Sequence, residues 1–120
     1  MNEDPNHPIR IAPYPARLRV LWKGNVVADT TSAVMLYEAW YPGVRYIPRS
    51  DVDMTLMEKS STKSHCPYKG DANYFSLRTD KTSARDAVWS YETPFPAANQ
   101  ISEYLAFDSK LVEFVENNTA

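Results

Sequence analysis

A chain of 120 residues, 43% hydrophobic and 23% charged, suffices for one soluble domain with one core and is too short for two. Its formal net charge of −2 leaves no basic excess for a nucleic-acid backbone or an anionic membrane surface. One cysteine excludes an internal disulfide and any zinc site on paired cysteines, so neither metal nor cofactor is expected, and a reducing cytoplasm is the expected setting.

Residues 1–8 are polar with two prolines and read as a flexible N-terminal tail. Ile9-Arg10-Ile11 reads as a short edge strand, since Pro13 and Pro15 remove backbone donors that a central strand needs. Arg17 to Trp22 alternates as a strand, Lys23-Gly24-Asn25 turns the chain, and Val26 to Asp29 returns beside it. A register with Arg19 opposite Asp29 keeps the acid off the apolar face, and a three-residue loop is expected to set it. Ser32 to Trp40 fits a short helix or a strand. Val44 to Ile47 is β-branched and aromatic, a strand ended by Pro48.

Met54 to Met57 reads as a further strand, and Glu58 to Ser64, rich in Ser and Lys, as a surface loop. Tyr74 to Leu77 and Ala87 to Tyr91 then form a hairpin with a long tip. Ala97 to Ile101 allows one helical turn, Tyr104 to Phe107 reads as strand, and Leu111 to Val115 closes a domain spanning 9–116, followed by a C-terminal tail. Short strands separated by turn residues predict a mainly β, compact antiparallel domain with one or two short helical turns.

Candidate chemistry centres on Cys66-Pro67-Tyr68-Lys69-Gly70. An ammonium near the thiol would favour the thiolate, and a positive φ at Gly70 would let the turn bring Lys69 back towards it; the competing reading is a small buried hydrophobe. Glu38, between an apolar run and Trp40-Tyr41, would have a raised pKa if turned inward; otherwise it is exposed or paired with an arginine. Asp51-Val52-Asp53 has the spacing of a magnesium-binding pair, but only three glycines, far apart, are present to cradle a phosphate. No Ser-His-Asp triad is expected, because His7 lies in the tail and His65 lacks a third member. Tyr46, Tyr68, Tyr74, Trp89 and Tyr91 carry more polar groups than a β core requires and suit a polar-aromatic cavity, with Arg17 as an anion contact.

Several of these pieces, in this order, resemble the domain-of-unknown-function 427 family of small bacterial and fungal proteins. They include Arg17-Leu18-Arg19-Val20, Glu38 with Tyr41-Pro42, Tyr46-Ile47-Pro48, Cys66-Pro67-Tyr68-Lys69-Gly70, and Asp86-Ala87-Val88-Trp89-Ser90-Tyr91. Gly43 stands where the family often has a second proline. The resemblance implies a β-tent (Mss4-like) fold without zinc knuckles and brings no established activity. The expected function is a pocket that binds, or binds and transforms, a small molecule. Cys66, Lys69 and Glu38 are its catalytic candidates, and the aromatic residues and Arg17 its ligand contacts. The alternative is a non-catalytic interaction module with an exposed aromatic patch; either is expected as a monomer or homodimer.

Overall fold

Ten strands, all paired antiparallel, make up a computed structural model that describes residues 7–117. They are β1 (Ile9–Pro13), β2 (Arg17–Trp22), β3 (Asn25–Thr30), β4 (Val34–Glu38), β5 (Val44–Tyr46), β6 (Met57–Cys66), β7 (Gly70–Arg78), β8 (Ser83–Ser90), β9 (Ala106–Phe107) and β10 (Glu113–Asn117). Short 3-10 segments lie at Arg49–Asp51, Met54–Leu56 and Pro96–Ile101. Three sheets result, in the orders β1-β4-β5, β10-β2-β3 and β6-β7-β8-β9. No helix among the described residues is long and apolar enough to cross a membrane.

The four-stranded sheet feeds two cores, because successive side chains of a strand point to opposite faces, with an exception at the irregularity in the β7–β8 pairing, where Ala87 and Val88 both join one cluster. Phe75, Leu77, Val88 and Phe107 join Leu18, Val20, Trp22 and Val27 in one cluster. Ala72 and Ala106, with the partly buried Cys66, Tyr74 and Trp89, join Leu36, Tyr46 and Tyr91 in the other. The second cluster carries the chemistry described below.

Arg19 does pair with Asp29, though by a different route from a three-residue loop. The turn is two residues, Lys23 and Gly24, with φ of 50° and 81°, the both-positive form that matches strand twist. A bulge restores the register: Val20 faces Ala28 while Leu21 faces Val26, so Val27 is the extra residue. Val27 and Ala28 are consequently both buried.

Several segments differ from expectation. Within Ser32 to Trp40 the strand is Val34–Glu38, with Ala39 and Trp40 in a turn, and β1 is an edge partner of β4, in keeping with Pro13. Met54–Leu56 is a 3-10 turn rather than a strand, because the Asp53 side chain accepts from Thr55 N at 3.1 Å and caps it. Glu58 to Ser64 is not a loop but most of β6. An edge strand solvated on much of both faces shows no alternation, and its pairing with β7 supplies the backbone bonds. Thr62 Oγ1 donates to Asp86 at 2.7 Å, tying β6 to β8 across the intervening strand. The β7–β8 tip is only residues 79–82, closed by Thr79 N to Thr82 O at 2.8 Å. The final strand extends to Asn117. The tail expectation for residues 1–6 and for those after 117 lies outside the described residues. His7 and Pro8, placed in the tail by sequence, pack against the end of β4.

Candidate functional site

Two tight turns from different sheets bring the site together. At the β6–β7 turn Cys66 pairs with Gly70 across Pro67, Tyr68 and Lys69, and Lys69 N donates to Cys66 O at 3.3 Å. Proline presets φ at the start of this loop and Gly70 ends it at φ +114°, a region open to glycine and closed to other residues. Phe95 N donates to Lys69 O at 2.9 Å, fastening the turn to the segment after β8. The second turn follows β4, where Ala39 takes φ +48° and its N–H donates to Pro8 O at 2.8 Å. That reversal leaves Glu38 facing inward and throws Trp40 and Tyr41 to the surface, 78% and 54% exposed.

Glu38 is the hub. Lys69 Nζ donates to Oε1 at 2.6 Å, and His7 Nε2 lies 2.7 Å from Oε2. All three side chains are only 12–15% exposed. The Lys69 ammonium also sits 5.4 Å from the centre of the Tyr91 ring. The His7 ring is stacked on Tyr68, centroids 3.7 Å apart and planes within 13°. Trp40 and Tyr41 stack on each other at 5.7 Å, and each lies 6.2 Å from His7. Beside this group opens a shallow cleft of about 580 Å³, lined by His7, Glu38, Tyr41, Gly43, Cys66 and Tyr68 among others.

The charges are fixed by their partners. Burial alone would raise the Glu38 pKa, but hydrogen bonds from Lys69 and His7 outweigh it and hold the carboxyl below its ordinary value. This reverses the raised pKa expected for an inward Glu38. Burial opposes the Lys69 ammonium, yet the nearby Tyr46 and Tyr91 oxygens and the Glu38 bond raise its pKa, so at neutral pH it is a donor only. Burial raises the Tyr46 and Tyr91 phenols as well.

A depressed carboxyl stabilises the fold fully above its unfolded value, and that contribution is lost as pH falls through the folded value. With 4.5 as the ordinary glutamate value, the loss begins below about pH 5 and steepens under 4.5. Urea midpoints of the wild type and Glu38→Gln are expected to converge as pH falls from 6 to 3. Parallel curves would show that Glu38 is not the responsible group.

The sequence candidates are sorted by this geometry. Glu38, Cys66 and Tyr68 line the cleft, and Lys69 is bound to Glu38 rather than aimed at the sulfur. Tyr46 and Tyr91, 0% and 6% exposed, do not line the cleft: they are core residues of the cluster that contains Cys66, Tyr74 and Trp89. Trp89 Nε1 donates to Tyr46 Oη at 3.4 Å, and Tyr74 and Trp89 face each other across β7 and β8. Arg17 lies on another sheet, in a two-bond pair with Asp29 at 2.9 and 2.6 Å, away from this group.

Asp51 accepts from Thr30 at 2.7 Å and Asp53 caps a turn, so the two carboxylates do not act as a pair. Among the described residues no group of three His, Cys, Asp or Glu is placed to hold a metal. Nothing in the pattern of residues marks His7 as part of the site. His7 stands 31 residues from Glu38, next to a proline in a polar stretch, without periodicity or spacing to single it out.

A small antiparallel β domain with a part-buried Lys69–Glu38–His7 group beside an aromatic-lined cleft is the class of protein that fold and site define. The chain belongs to the family described as a domain of unknown function (DUF427), whose model matches residues 10–118. No curated protein matches it.

Proposed function

We propose that the cleft beside Glu38 binds a small molecule, with Tyr41 and Tyr68 as its aromatic wall, Trp40 stacked on Tyr41, and Glu38 and His7 as its polar floor, Glu38 being held by Lys69. One observation carries this reading: a carboxylate with both oxygens engaged, at 2.6 and 2.7 Å, is left only 15% exposed where the cleft opens. Burying an ion pair contributes little net stability compared with an apolar pair of similar volume, so folding alone gives no reason for this arrangement. A cleft of about 580 Å³ falls in the range of ligand sites, and perturbed carboxylates in clefts mark sites of chemistry. Cys66, half-buried in the same wall, is the proposed nucleophile or proton donor if the ligand is transformed. The cytoplasmic setting rests on the lone cysteine, and the β-tent relationship on the family.

The exposed Trp40–Tyr41 stack supports a second reading, in which those rings meet a protein partner. A fragment library screened by amide correlation spectra of the labelled chain separates the two. Binders are expected to shift Gly43, Cys66 and Tyr68, and to weaken in Tyr41→Ala. Fragments that ignore the cleft, with self-association abolished by Trp40→Ala, would replace the first reading by the second.

A further inference from the structure

We propose that His7 is the proton acceptor of this cleft, and that it selects planar molecules presenting a weakly acidic O–H or N–H. The inference rests on the binding reading above and adds the class of ligand and the atom that meets it. An ionised carboxylate only accepts hydrogen bonds. Glu38 is the anion of its pair with Lys69, so the contact at 2.7 Å requires His7 to donate through Nε2. A neutral imidazole has one N–H, and its Nδ1 therefore carries a lone pair.

The ring is held in this orientation, so a flip that would put Cε1 in place of Nε2 against Glu38 is hindered. Tyr68 stacks on one face at 3.7 Å, and Trp40 stands nearly edge-on at 71°. Among the described residues lining the cleft, His7 is the one side chain with a basic nitrogen; Lys69 is not part of the lining and is committed to Glu38 as a donor. Lys69 holds Glu38 in place, and Glu38 in turn holds the tautomer. A ligand O–H would hydrogen-bond to Nδ1. For an acidic enough ligand the O–H bond breaks, Nδ1–H forms, and the ligand anion lies beside an imidazolium that Glu38 balances. The aromatic rim sets the other requirement, a flat body that stacks.

Phenol and anisole differ by the donor alone and serve as probes. Each is titrated at pH 8 into the labelled full chain and into His7→Phe, which keeps a ring against Tyr68. Phenol is expected to bind about five-fold tighter than anisole, the effect of one hydrogen bond, with the ratio falling to about one in His7→Phe. Long-range nitrogen spectra of the imidazoles, with His65→Gln to distinguish the chain's two histidines, are expected to show Nε2 protonated and Nδ1 bare in His7. Equal binding of the probes in the wild-type cleft overturns the proposal, as does a proton on Nδ1. If neither probe enters the cleft the binding reading fails, while the nitrogen spectra still decide whether His7 is built as an acceptor.

Discussion

Lys69→Met is expected to lower stability by about 2–4 kcal/mol, and the melting temperature by roughly 10 °C. The substitution removes the donor on Glu38 Oε1 and leaves a carboxylate, 15% exposed, with His7 as its remaining partner. Breaking a buried pair from one side costs more than the pair contributes, because the orphaned charge stays desolvated. The cost stops short of the full burial range here because the cleft admits some water. Replacing both ends, as in Glu38→Leu with Lys69→Met, is expected to recover most of the loss, and a double-mutant cycle in urea measures the coupling. A single mutant within about 0.5 kcal/mol of wild type would mean that the pair is screened by solvent.

Gly70→Ala is the second large effect, expected at about 1–3 kcal/mol. At φ +114° an L side chain is strained whatever the space, and the added Cβ would sit 3.4 Å from Pro94 Cα, at the near edge of ordinary contact, with no room to relax towards it. Gly24→Ala is the internal comparison: φ is +81° but nothing lies within 4 Å of the added carbon. The Gly24 change is expected to cost about 1 kcal/mol. Denaturant titrations giving the two substitutions equal cost would show that the approach of Pro94 contributes nothing. Because Gly70 adjoins Lys69, its replacement is also expected to disturb the Glu38 pair, whereas that of Gly24 is not.

What could be read in the sequence was local. Backbone chemistry announced the turns at Lys23-Gly24 and Pro67 to Gly70, and the cost of an acid on an apolar face announced Arg19 against Asp29. Strand β6 escaped because its side chains are mostly solvated, so its existence depends on a partner strand rather than on its own pattern. The site followed the same division. Glu38 and Lys69 were nominated separately, each on its neighbours, but 31 positions separate them and no spacing rule pairs them. Lys69 was therefore matched with the nearby thiol. Charge attraction between distant turns prevailed over proximity in sequence, and His7 entered the site by the same long-range route.

The alternation of the four-stranded sheet means that the molecule has no separable halves. Val88 and Trp89 are one peptide bond apart, yet they belong to different cores, as do Phe107 and Ala106 directly across from them. A tilt of β8 that lets Trp89 follow a movement around Tyr46 must carry Val88 with it, into a layer that has no part in the cleft. One inserted residue in β8 would exchange the occupants of the two layers, sending an indole where a valine packs. Tolerance to insertion should therefore be lowest along this sheet, and the cleft is mechanically tied to the far side of the domain through the thickness of a single strand.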